Sequence, residues 1–77
     1  MNGGDNMTDT KMLEAAIALS GFPKGVIAEK IGISRSAFFK KIRNESEFKA
    51  TEIVKLQELL ALTTEERNRI FFAKCDD

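Results

Sequence analysis

From Ser34 to Asn44 the chain reads SRSAFFKKIRN, which gathers two hydroxyls, two guanidinium groups, two ammonium groups and an amide into one short segment. These groups donate hydrogen bonds and carry positive charge, and none of them is a general base. The 77-residue chain has no histidine, and its single cysteine, Cys75, stands near the C-terminus with scattered carboxylates around it. The usual proton shuttle and the commonest zinc ligand are therefore missing, so catalysis, a metal centre and a cofactor are not expected. What the segment can do is grip a polyanion. Hydroxyls and arginines reach the edges of DNA bases, whereas lysines more readily neutralise phosphates. On that chemistry Ser34, Arg35, Ser36, Phe39 and Arg43 are candidates for reading bases. Lys24, Lys40, Lys41 and Asn44 are candidates for phosphate. Arg35 suits either partner, since a guanidinium can meet guanine with two parallel hydrogen bonds or clamp a phosphate. Phe39 could touch a thymine methyl or pack on the neighbouring loop.

The elements that must present these groups are helical throughout. Leu13, Ala16, Ile17 and Ser20 recur at helical spacing, with Thr8 or Asp9 as N-cap and Gly21 as stop. Pro23 suits the first turn of a second helix, whose inward face is Ile27, Ala28 and Ile31 and whose end is Gly32. Ser34 can cap a third helix running to about Arg43, with Asn44 closing it. A loop, 44–49, leads to a fourth helix from about Ala50 to Leu60 with Ile53, Leu56 and Leu60 as its apolar stripe. Thr63 and Glu66 form a capping-box signature for a fifth, with Lys74 at its last turn. No strand-like alternation, hairpin signal or repeat is present. The expected fold is all-α, a compact bundle of five short helices with a core of Leu13, Ile17, Ile27, Ile31, Ile33, Phe38, Ile42, Ile53, Leu56 and Leu60. Residues 1–7 are expected to form a disordered lead, and residues 8–77 the single domain.

The second and third helices are separated only by Gly32, Ile33 and Ser34, which forces a sharp turn and makes the pair a helix-turn-helix. Gly32 can take the positive φ of the turn, and Ile33 can plug its corner. At about 100° per residue, Phe38 and Ile42 point to the core while Ser36, Lys40 and Arg43 cluster opposite, and Phe39 falls between. Both lysines and Arg43 are expected to look outward.

Charge supports this placement only locally. The chain carries 12 basic and 12 acidic residues and is formally neutral, yet the segment from Phe22 to Lys55 has a net charge of +4, and Lys30 to Asn44 holds five cations and no carboxylate. Screening over about 10 Å lets such a local field survive a neutral total. Apolar runs fall far short of the roughly 20 residues of a membrane span, and MNGGDN has no apolar core of the kind a secretory signal needs. A cytoplasmic location is expected, in keeping with the lone cysteine.

The segment VIAEKIGISRSAFFKKIRN, with Ala28, Gly32, Ile33, Ser34 and Phe38 at that spacing, resembles the helix-turn-helix of repressors of the phage lambda Cro and cI type. EFKATEIVKLQELLALTTEE resembles the fourth helix and following loop of small phage and prophage regulators in that family. The resemblance runs from Leu13 to Phe72. It implies a five-helix domain that binds operator DNA as a dimer with its third helix in the major groove, and it gives contact roles to Ser34, Arg35, Ser36, Phe39, Lys40 and Arg43. Many members carry glutamine at the starts of the second and third helices, where this chain has Lys24 and Arg35.

The partner expected is thus double-stranded operator DNA, with no small-molecule ligand, and the function a sequence-specific transcriptional regulator, most simply a phage or prophage repressor. The alternative is a non-catalytic protein-interaction module or antitoxin on the same fold, which the neutral total charge would suit. For assembly, Ile70, Phe71 and Phe72 fan over about 200° of helix, wider than a small core covers from one side. One aromatic is expected to be left over for a homodimer contact, unless the rings instead close the core against the first helix.

Overall fold

The computed structural model describes residues 8–71. Lys74 and Cys75 lie outside them, as do the segment expected to be a disordered lead and Phe72. Five helices follow in order: α1 Thr10–Ser20, α2 Lys24–Ile31, α3 Arg35–Ile42, α4 Ala50–Leu59 and α5 Thr64–Phe71. Among the described residues there is no strand. Their ends are set by side chains and glycines. Asp9 caps α1, its carboxylate accepting the Met12 N–H at 3.1 Å, and Gly21 ends it in the left-handed region at φ 79°. Ser34 Oγ accepts the Ala37 N–H at 3.1 Å to open α3. At α5, Thr63 N–H donates to Glu66 Oε1 at 2.9 Å while Glu66 N–H donates to Thr63 Oγ1 at 3.0 Å, a reciprocal pair that satisfies two N–H groups the helix itself leaves unpaired.

One boundary differs from expectation. Pro23 is not in the first turn of α2 but one position before it, with extended backbone at ψ 148°, and its carbonyl accepts from Val26 and Ile27 at 3.0 and 3.1 Å. The restricted φ of proline fits that N-cap equally well, at −63°.

Packing follows from the apolar spacing. Leu13, Ile17, Ile27, Ile31, Phe38, Ile42, Ile53, Leu56 and Leu60 are all buried, and Ile33 packs half-buried against them. α2 lies against both α3 and α4, α4 against α5, and α5 against α1. Ala28 is buried on the α2 face, its single methyl letting a neighbouring helix approach closely. Phe38 has no exposed surface at all, and burying a ring of that size contributes about 1.5 to 3 kcal/mol.

The largest correction concerns α5. Ile70 and Phe71 are 2% and 3% exposed, so they belong to the chain's own core and cannot offer a dimer contact. The reason is Phe48, in the loop between α3 and α4. Its ring stands edge-on to Phe71 with centroids 5.3 Å apart and edge-on to Phe38 at 6.1 Å. α5 is therefore covered from two sides rather than from α1 alone, and a backbone bond from Asp9 N–H to the Ile70 carbonyl at 2.6 Å ties its end to the start of α1.

Candidate nucleic-acid interface

The turn between α2 and α3 is three residues long. Gly32 occupies the left-handed region at φ 87°, and its N–H reaches the carbonyl of Glu29 at 3.1 Å, while Ile33 N–H reaches Ala28 at 3.0 Å. α3 is thereby held across α2, with Phe38 and Ile42 buried and Ser36, Lys40 and Arg43 exposed. On a helical projection the last three fall within about 60° of one another, one continuous stripe. Ser34 and Arg35, also exposed, stand at the end of the stripe nearest the turn. The Ser34 oxygen is occupied by its cap bond, which leaves its O–H to donate outward.

Arg35 lies along the first turn of α2. A Cβ added at Gly25 would sit 3.4 Å from both Cδ and Nε of Arg35, so the arginine stem runs close over the Gly25 backbone. Phe39 is half-buried against the core, with the Lys24 ammonium 5.8 Å from its ring centroid, and Lys24 Nζ is itself 2.8 Å from Glu14 Oε1. Phe39 therefore packs against the core and Lys24 while staying partly exposed. Lys24 remains at the surface, though any phosphate must compete with Glu14.

One of the expected phosphate contacts is buried, and another has its amide engaged within the chain. Lys41 is 9% exposed; its Nζ meets Glu52 Oε1 at 2.6 Å and lies 6.0 Å from the Phe48 ring centroid. One residue beyond Lys40 is about 100° further round the helix, which carries Lys41 from the outer stripe to the flank beside Phe38 and against the start of α4. Glu52 also accepts the Lys49 N–H at 2.9 Å, so one carboxylate both caps α4 and pairs with α3. Burial raises the Glu52 carboxyl, but the Lys41 hydrogen bond, the Lys49 N–H and the two lysine charges outweigh it, and its pKa lies below the ordinary value.

Asn44 is exposed but engaged. Its backbone is left-handed, φ 66°, as suits the residue just past a helix end. Its amide is bonded to the N-terminal segment: Oδ1 accepts the Thr8 N–H at 2.7 Å and Nδ2 donates to the Thr8 carbonyl at 3.0 Å. Thr10 adds a bond from its hydroxyl to the Ile42 carbonyl at 2.6 Å. The amide fastens the start of α1 to the end of α3.

Arg43 points outward as expected but has a partner that the sequence-based expectation did not include. Its Nε donates to Glu45 Oε2 at 2.8 Å. The hydrogen bond and then the charge of Glu45 raise the Arg43 pKa, and the same two effects from Arg43 hold Glu45 below the ordinary carboxylate range, with Lys40 adding to it. The clue available in the sequence was an acid two residues past an arginine, across an asparagine suited to the left-handed region. Glu14, which pairs with Lys24, carries no comparable local signal because its partner comes from another element.

Comparison with known proteins finds no family model, no curated protein and no solved structure that matches the chain. Among the described residues no helix is long and apolar enough to cross a membrane.

Proposed function

We propose that the chain is a non-catalytic, sequence-specific regulator of transcription that binds double-stranded DNA through a helix-turn-helix formed by α2 and α3, with α3 in the major groove. The kinship that fits this reading is with phage and prophage repressors of the lambda Cro and cI type, acting in the cytoplasm and as a homodimer that sets two α3 helices about 34 Å apart. The observation that carries the proposal is the exposed stripe Ser36, Lys40 and Arg43 on a helix whose opposite side, Phe38 and Ile42, is buried. Short hydroxyls toward the turn and cations further along match what base edges and phosphates require. Since Ile70 and Phe71 are internal, self-association must use other residues.

A second reading, a protein-interaction module or antitoxin, is favoured by one feature. Between α2 and α4 a surface groove is lined by Lys30, Ile31, Lys55, Glu58 and Leu59, and nearby on α4 Val54 is 49% exposed. Mobility shift of the purified chain with random-sequence duplex DNA at low salt separates the two. Retarded duplex that is released as salt rises supports the regulator, while a free duplex at micromolar protein supports the interaction module.

A further inference from the structure

Glu45 is a carboxylate just past the C-terminal end of α3, beside a surface that would face a polyanion. It lies close enough to Lys40 to feel its charge and is bonded to Arg43. For phosphate binding alone it is unfavourable, and its position is not left to chance. Past the end of α3 the chain makes a Schellman turn: Glu45 N–H reaches back to the Lys40 carbonyl at 2.8 Å, Asn44 N–H to Lys41 at 3.2 Å, and Asn44 sits at φ 66° between them. The Asn44 side chain is bolted to Thr8 on both its N–H and its carbonyl. The backbone of residues 43–45 is thus held from two directions, which sets Glu45 beside the arginine.

The atom it takes is informative. Glu45 binds Arg43 through Nε, which leaves the two terminal nitrogens of the guanidinium without a partner among the described residues. A guanine edge is met by two parallel N–H groups, and an arginine whose orientation is already set loses less freedom on making that contact. We infer that Glu45 is the positioning residue for base reading by Arg43, holding the guanidinium by Nε so that its terminal nitrogens address one guanine, at the expense of affinity for DNA in general. The inference rests on the DNA-binding reading above and adds to it a residue that sets specificity without touching DNA.

Two substitutions divide the roles of Glu45. Glu45→Gln keeps an oxygen that can accept from Nε but removes the charge; Glu45→Ala removes both. Duplexes selected by the wild-type chain from randomised DNA define the preferred base pairs, and fluorescence anisotropy then compares the selected duplex with a random-sequence duplex for each variant. Both variants should bind the random duplex a few-fold more tightly than wild type, because a repelling carboxylate is gone. Only Glu45→Ala should lose discrimination, by about tenfold and at the same G·C pair that Arg43→Ala affects, with Arg43→Ala adding nothing further in the Glu45→Ala background. Glu45 is exposed, so all variants should melt with the wild type. Unchanged discrimination in Glu45→Ala, or equal losses on both duplexes, would overturn the inference while leaving DNA binding intact. A wild-type chain that binds neither duplex would overturn the DNA-binding reading itself, and the inference with it.

Discussion

Two ion pairs stand at the two sides of α3, Lys41 with Glu52 and Arg43 with Glu45, two residues apart in sequence on the helix partner. Their distances are similar, 2.6 and 2.8 Å, and each joins a cation to a glutamate, but the side chains of the first are about a tenth exposed and those of the second more than half. The first sits in the seam between α3 and α4, where water cannot replace a lost partner. The second is in solvent, where it can. An ion pair is therefore structural on one flank of the helix and free to serve recognition on the other, and rotation about the helix axis sets which flank each cation reaches.

The comparison breaks first if the core that creates the two flanks is removed. Phe38→Ala takes away a ring with no exposed surface that touches Phe48, and a cut of that size is expected to cost about 3 to 5 kcal/mol. Small domains are stable by about 5 to 15 kcal/mol in total, so this variant should lose a large share of the stability and melt well below wild type by circular dichroism. A wild-type melting curve would mean that α3 is turned differently from the structure described.

Replacing Lys41 with methionine should come next in size. It leaves Glu52 in the seam without its cation, and loss of one partner of a buried pair destabilises by about 3 kcal/mol. Replacing both residues together, Lys41→Met with Glu52→Gln, keeps an acceptor for the Lys49 N–H and leaves no unpaired charge, so much of the stability should return. Chemical denaturation of the single and double variants checks this. If the single variant is as stable as wild type, the seam is wetter than the distances imply. Arg43→Ala, by contrast, should leave the unfolding midpoint where it is, because exposed pairs contribute little.

Much of this was legible in the sequence, and the parts that were not share a cause. The five helices, their caps at Asp9, Ser34 and Thr63 and nearly all of the core follow from spacing along one helix at a time, which is local information. Lys41, Ile70 and Phe71 are buried where exposure is expected from the sequence, and the Asn44 amide is engaged, because each is decided by something from elsewhere in the chain. Glu52 captures Lys41, Thr8 captures Asn44, and Phe48 supplies the second wall over α5. Phe48 is a lone aromatic in a polar loop, so no periodicity marks it. The candidate stripe itself, Ser36, Lys40 and Arg43, survives because it needs only the facing of α3, which Phe38 and Ile42 set.

Acid separates the two pairs in a further way. The Glu52 pKa is lowered in the folded chain from the ordinary 4.5. A lowered folded pKa means that the unfolded chain binds the proton more readily, so the contribution is full above the ordinary value and is lost as pH falls through the folded one. Wild type should therefore lose stability below about pH 4.5, and Lys41→Met should lose less over the same range, since its Glu52 no longer gains from the lysine. Glu45 is shifted in the same direction, but its pair is exposed and screened: raising salt to about 0.5 M should erase its part and leave that of Glu52. Denaturant midpoints at pH 7, 4 and 3, in low and high salt, test this. Identical acid sensitivity in wild type and Lys41→Met would remove the seam pair as its source.

The smallest expected effect is also the one that bears most directly on function, and it compares two adjacent lysines. Lys40 is exposed on the outer stripe and Lys41 is buried beside it. If α3 lies in the major groove, Lys40 can displace a counterion from a phosphate and Lys41 cannot. Each phosphate contact adds about 0.9 to the slope of log affinity against log salt. Lys40→Ala should then weaken binding to selected and random duplexes alike and lower that slope by about one. The matching change at Lys41 must be made without unfolding the seam, so Lys41→Met with Glu52→Gln is the variant to use, and it should leave the slope unchanged. Anisotropy titrations at several salt concentrations decide. Equal slopes for wild type and Lys40→Ala would remove Lys40 from the DNA surface, and a lowered slope in the Lys41 double variant would mean that the seam opens when DNA binds.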